Sequence, residues 1–276
     1  MANDHVTTIT PLAYEEHIAG IRHEIARFVD VLRDPRCDAT AEAAACPGWR
    51  AGDVAVHLGE VQRSWATKVL RGTAAPPTTW DHIEVPDAAT ATVDELAAWL
   101  EDGCAQLVAA LEDVASEAPA WSWWPATAPG GHTAGAIARH QLHEAALHRW
   151  DAEDAGLGGD GEVDPAAVSL RQACDGVDEL LTVTLAAALG PWPADAEPGV
   201  LVLRAMDDHG DVARAWTLDC TDGRPVVHDG GASMFTCRVS VAAPDLQLLL
   251  WRRPREFGWK GESALFAAFL QWPSYD

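Results

Sequence analysis

Residues 140–153 read HQLHEAALHRWDAE, and how this stretch is wound decides what kind of fold the chain builds. A zinc-protease H-E-x-x-H is denied by the spacing. His143 and His148 are five apart, which on a helix is a turn of about 140° onto different faces. His140 with Glu144, and Glu144 with His148, are each four apart and share one face. Metal sites in helical bundles are made by pairing such a face with a side chain from a facing helix. The reading therefore depends on whether the rest of the chain supplies the other helices.

It does. Residues 12–33 place Leu12, Ile18, Ile21, Ile25, Phe28, Val29 and Leu32 at helical intervals. After the Pro47-Gly48 break, Val54, Leu58, Val61, Trp65 and Val69 form a second stripe that Gly72 closes. Residues 73–91 are rich in proline and threonine and predict a long loop. A third helix is expected from Thr92 to Val114, with Thr92 as N-cap and Glu95 in the capping-box position. The loop APAWSWWPATAPGG leads into a fourth helix over 133–153. A further helix is expected from about Pro165 through Ala188. Beyond it VLVLRAM, ARAWTLDC and MFTCRVSVA are strand-like runs set off by Asp-Gly turns, and two short helices are expected near 245–251 and 263–270. The fold class is α+β: a four-helix antiparallel bundle over 1–160 and a smaller α+β domain over 161–276.

Composition narrows the partners. With 48% hydrophobic and 22% charged residues the chain can bury a sizeable core. A formal net charge of −23 argues against nucleic acid or an anionic membrane as partner, since both demand clustered cations. No stretch approaches the roughly 20 apolar residues of a membrane span. The start MANDHVTTIT lacks the pattern of a signal peptide. Six cysteines with no C-x-x-C point to reduced thiols and a cytoplasmic location.

His57 sits beside the buried stripe of the second helix, with Val54 three residues before it and Val61 four after. A bundle can bring that helix against the fourth, where His57, Glu144 and His148 would make a His2Glu set with one zinc position left open; spacing alone leaves this level with the ordinary reading. Taken singly, each has an ordinary reading: a hydrogen-bonded core histidine, or a pair on a solvated helix face. His140, one turn before Glu144, competes as a ligand.

The segments CPGWRAGDVAVHLGEVQRSW and EAALHRWDAE resemble the two signature segments of the mycothiol-dependent maleylpyruvate isomerase family, within the DinB-like helical metalloproteins. DLQLLLWRRP and GESALFAAFL resemble that family's closing domain. The resemblance implies a DinB-like four-helix domain binding Zn2+, or another divalent metal, through His57, Glu144 and His148. It implies mycothiol, the small thiol of actinobacteria, as cosubstrate. The partners are then a low-molecular-weight thiol and a small electrophile, in a monomer or homodimer. The function implied is isomerase or S-transferase: metal lowers the thiol's pKa, and the thiolate adds to the electrophile and then leaves or stays. A C-terminal arginine is implied to reach the substrate. Arg253 matches the family's usual LLLWGR, with Arg252 standing where glycine is common. The rival readings are a zinc hydrolase activating water at the same site, and a non-catalytic module in which His140 closes the metal shell.

Other features divide between function and packing. Asp151 is placed to orient His148, or to pair with Arg149 at the helix surface. Trp121, Trp123 and Trp124 are expected mainly as packing, with a pocket wall as the alternative; Cys46 as a small buried hydrophobe rather than a redox or nucleophilic thiol; and His82 as a loop residue that could approach the site. The basic cluster RRPRE is a substrate-anion contact or a surface ion-pair cluster.

Overall fold

The structure, a computed structural model, describes residues 9–78, 82–157, 168–187, 192–193, 196–222 and 225–272. The chain divides into two compact units, Leu12–Pro165 and Met1–Pro11 with Ala166–Asp276. The boundary expected at 160 falls outside the described residues.

The first unit consists of α1 (Tyr14–Arg33), α2 (Ala51–Arg71), α3 (Val93–Glu112) and α4 (Ala134–Gly156). α1 and α2 each pack against both α3 and α4, which sets α2 beside α4. The apolar stripes meet in the middle: Ile21, Phe28, Leu58, Leu100, Leu107, Ile137 and Ala145 are inaccessible to solvent. Helix ends form where the side chains supply caps. The Thr92 hydroxyl accepts from Glu95 N at 3.3 Å while Thr92 N donates to Glu95 Oε2 at 2.7 Å. Thr133 caps α4 through Ala136 N at 3.2 Å, and Gly72 ends α2 at φ 59°, the left-handed region that glycine enters freely.

The α2–α3 crossing is tight for a definite reason. A Cβ on Gly59 would lie 2.3 Å from Trp99 Nε1, and one on Gly103 would lie 2.9 Å from the Gly59 carbonyl. Two glycines thus let the helices close together while Trp99 Nε1 donates to Val56 O at 2.9 Å. The Arg63 guanidinium stacks 3.4 Å over the same indole. This contact fixes the turn of α2 on which His57 stands.

The second unit begins with α5 (Leu170–Glu179), capped by Ser169. It continues through a π-helical turn over Leu180–Thr184 into α6 (Leu185–Ala187). The expected ends of this helix, Pro165 and Ala188, lie outside the described residues. A mixed five-stranded sheet follows in the order β3-β2-β1-β4-β5. β1 (Val200–Met206) pairs antiparallel with β2 (Val212–Asp219) and parallel with β4 (Cys237–Ala242). β3 (Val226–Asp229) and β5 (Gly258–Gly261) are the edges, and the sequence reading missed both. α7 (Ala243–Leu250) and α8 (Ser263–Gln271) stand close to the two helices expected near the C-terminus. None of the described helices is long and apolar enough to cross a membrane.

Candidate metal centre

α4 is unusual in burying polar side chains nearly all round. His140, Gln141, His143, Arg149, Asp151 and Glu153 are all less than a tenth exposed. Such groups are costly inside a bundle unless each finds a partner, and they divide by the helix they face.

Toward α2, the fold brings His57, Glu144 and His148 together. One ligand atom from each lies within 4.8 Å of the others. His57 Nε2 is 3.7 Å from Glu144 Oε1, and the His57 and His148 rings meet edge to face at 5.2 Å. Glu144 Oε2 is turned the other way. It accepts from Gln141 Nε2 and stands 3.6 Å from His140 Nε2. The two oxygens are therefore differentiated: one faces His57, the other is held within α4. His140, the competing ligand, meets the second oxygen and lies outside the trio. Its ring sits among Trp65, Trp123 and Trp124, at 5.9, 5.8 and 5.2 Å.

His148 is held from behind. Its Nδ1 is 3.0 Å from Oδ2 of Asp151, whose side chain is fully buried. The carboxylate takes the Nδ1 proton as a hydrogen bond and so turns Nε2 toward the trio. The surface alternative for Asp151 fails, because Arg149 is committed elsewhere. Cys46 also departs from a plain hydrophobe: it is half-buried, and its Sγ lies 3.5 Å from the same Asp151 oxygen. Cys46, His148 and Asp151 make a second trio of ligand atoms within 4.8 Å. The two trios differ in access. The side chains of His57 and Glu144 are 32% and 17% exposed, against 0% for Asp151. The opening is thus on the His57 side.

Electrostatics favour an anion at Glu144. Burial alone would push its pKa up. The His57 hydrogen bond and the charges of His140, His148 and His57 reverse this and hold it down at about 2. Two imidazoles around a carboxylate held toward its ionised form, with an open side, are a donor set that fits a divalent cation such as zinc. Trp49, just before α2, closes one flank, its ring 4.7 Å from His57 and 6.5 Å from His148.

The model of the mycothiol maleylpyruvate isomerase N-terminal domain matches residues 19–153. The helical unit is therefore a domain of this family type. The matched stretch contains α2 and α4, and with them His57, Glu144, His148, Asp151 and Cys46. Two solved structures are similar in fold: a mycothiol-dependent maleylpyruvate isomerase, 16% identical with a TM-score of 0.52, and a point mutant of it, 15% identical with a TM-score of 0.53. Each alignment covers 86% of this chain and 88% of the other. No curated protein matches the sequence.

The other residues that the sequence singled out scatter across the fold. His143 is buried on another face of α4. His82 is exposed. Of the tryptophans, Trp124 is core, with Nε1 donating to Gly131 O at 2.8 Å, and Trp123 is half-exposed against His140. Trp121 lines a cavity, the lesser of the two roles expected of the group, and its ring also meets that of His132 at 6.5 Å. Arg252 and Arg253 belong to the second unit, outside the matched residues. Arg252 has φ 64°. With Arg252 N bonded to Leu249 O and Arg253 N to Leu248 O, it occupies the left-handed position that ends α7. That geometry is the physical reason glycine suits this place. Its side chain donates to Leu270 O at 2.9 Å. Arg253 is buried, donating to Trp251 O at 2.8 Å, and Arg255 pairs with Asp245 at 3.3 Å. Sequence reading overlooked Gln141 and Trp49; the i, i+3 spacing of Gln141 to Glu144 was the available signal for the first.

Proposed function

We propose that this chain is a zinc-dependent thiol enzyme that uses mycothiol for isomerisation of, or transfer to, a small electrophile. The observation that carries the reading is the half-open trio His57, Glu144 and His148, drawn from two helices, with Glu144 Oε2 and His148 Nδ1 both held from behind. A zinc ion bound there would lower the pKa of a thiol and keep it as thiolate at neutral pH.

The chain's own residues prepare that position. The histidines around Glu144 hold its carboxyl toward the ionised form, so that its charge would offset a cation's. Asp151 fixes the His148 tautomer. Trp49 limits water on the His57 flank. Addition of the thiolate to an activated double bond, rotation about the new single bond and departure would give isomerisation; retention would give transfer. From the resemblance we carry forward Arg253, with Arg252 as the alternative, as the arginine that would hold a substrate carboxylate. The C-terminal α+β domain is assigned to the same family type.

Metal analysis of the purified full chain tests the core of this reading. About one zinc per chain is expected, lost in His57→Ala and in His148→Ala. Full occupancy in both variants would sink the ligand assignment. Turnover by the zinc-loaded protein with no thiol present would move the reading to activation of water at the same site.

A further inference from the structure

Cys46 lies in the turn before α2, and that turn is closed by its own backbone. Ala43 N donates to Trp49 O at 2.8 Å, Cys46 N to Ala43 O at 2.8 Å and Trp49 N to Cys46 O at 2.9 Å. Gly48, at φ 84°, supplies the left-handed residue between them. The thiol is thereby presented to α4, where its Sγ lies 3.5 Å from Asp151 Oδ2. The same oxygen is 3.0 Å from His148 Nδ1. One donor atom from each of Cys46, His148 and Asp151 lies within 4.8 Å of the others.

The ordinary reading is a hydrogen-bond relay in which imidazole and thiol both donate to the carboxylate. That accounts for His148 and Asp151. It does not account for sulfur, because a thiol is a weak donor and a serine hydroxyl would serve a carboxylate better. Nor does the thiol merely fill apolar space. Cys46 and His148 are both half-buried, so a solute can reach them, while Asp151 forms the buried floor. A tetrahedral cation that holds sulfur at about 2.3 Å and nitrogen or oxygen at about 2.0 Å spaces its donors about 3.3–3.6 Å apart. The sulfur–oxygen distance falls in that range and the nitrogen–oxygen distance lies a little below it.

We propose that Cys46, Asp151 and His148 Nδ1 form a second cation site, for a divalent ion that favours thiolate, and that it shares His148 with the His57 trio and fills after it. A cation here replaces two protons, one on Cys46 Sγ and one on His148 Nδ1, and both pass to solvent. The His57 trio asks for no thiol proton, so it fills first. Sharing has a consequence. A cation that draws Asp151 onto itself removes the support which the carboxylate gives to His148 Nε2, so excess metal weakens the first site. The order of filling rests on the zinc-enzyme reading of the His57 trio; the thiolate site itself does not.

Cobalt(II) titration of the metal-free full chain, with its thiols kept reduced by a phosphine, provides the test. Cobalt bound to sulfur gives an intense near-ultraviolet charge-transfer band that nitrogen and oxygen ligands do not give. The first equivalent is expected to bind without this band and a second to bring it up. Cys46→Ser, a nearly isosteric change, should abolish the band and leave the first equivalent bound. His57→Ala should lose the first equivalent and keep the band. Saturation of the wild type with no band would overturn the proposal. So would a band that survives in Cys46→Ser, which assigns it to another cysteine. If the band depends on Cys46 while no cobalt depends on His57, the second site stands and the zinc-enzyme reading falls. If His57 and His148 hold cobalt and no thiolate band appears, the reverse holds.

Discussion

Positions 148 and 149 are adjacent on α4 and begin two polar clusters of opposite character. His148 faces α2. Arg149 faces α1, where its Nε donates to Glu24 Oε2 at 2.6 Å and its Nη1 to Glu153, while Arg27 reaches Glu153 Oε1 at 3.1 Å. The Arg149 and Glu24 side chains are 0% and 1% exposed. This second cluster balances its charges between α1 and α4, with only Arg149 Nη2 left without a hydrogen-bond partner among its described side-chain atoms. The first does not close: one oxygen of Glu144 and one nitrogen of His148 are held from behind, and the opposite atoms converge on a shared point. The difference separates a polar core that serves the fold from one arranged to take something in. Burial and charge alone do not separate them, because both clusters have each.

The comparison breaks most visibly at Arg149. Arg149→Met leaves Glu24 and Glu153 buried without their main counter-charge, which should cost about 3–5 kcal/mol of stability. Urea denaturation of the metal-free protein measures this. The zinc stoichiometry of whatever remains folded at low temperature should match the wild type. Should the variant lose zinc while keeping its stability, the two faces of α4 would have exchanged roles and the division would be wrong.

Asp151 lies on the first face yet is as buried as Arg149, so it sharpens the boundary. Asp151→Asn keeps the shape but no longer draws the Nδ1 proton of His148 with a full charge. Metal affinity should fall by roughly 10- to 100-fold, the usual effect of losing a carboxylate behind a ligating histidine. Competition with a chromophoric chelator reads it. Stability of the apo form is expected to change far less than in Arg149→Met. An unchanged zinc affinity would return Asp151, and Cys46 with it, to a packing role.

The physics of periodicity explains which parts of this arrangement were open to inspection beforehand. Of the four long helices, α1 and α2 were legible from their apolar stripes, and local signals marked ends of the other two and of α2: Thr92 with Glu95, Thr133, Gly72. The Glu144–His148 pair was legible because i, i+4 spacing needs no tertiary information, and His57 because it borders a stripe. β3 and β5 were not, since edge strands exposed along their length have no buried face to impose alternation. Nor was the π-helical turn in the middle of the α5–α6 helix, as a one-residue widening leaves the apolar pattern nearly intact. The sorting of α4 side chains depends on which neighbour each meets. Asp151 turning inward to His148 and Arg149 turning to Glu24 both follow from packing that a single helix does not encode.

The smallest expected effect is at Gln141, and its sign is informative. This side chain is fully buried, with Nε2 on Glu144 Oε2 and Oε1 without a hydrogen-bond partner among the described residues. A buried acceptor left unpaired costs about 1–3 kcal/mol. Gln141→Met, of similar length, removes that orphan together with the support for Glu144. The two consequences should oppose one another: the metal-free protein gains up to about 1 kcal/mol in urea denaturation, while zinc binds a few-fold more weakly because Glu144 is held less firmly. The cluster around Arg149 also leaves one atom, Arg149 Nη2, without a hydrogen-bond partner among the described residues, but there each carboxylate meets an arginine, so truncation would strand a charge. A loss of both stability and affinity in Gln141→Met would mean that Gln141 belongs with the Arg149 cluster in kind, and that the open side of α4 is narrower than His57, Glu144 and His148 make it.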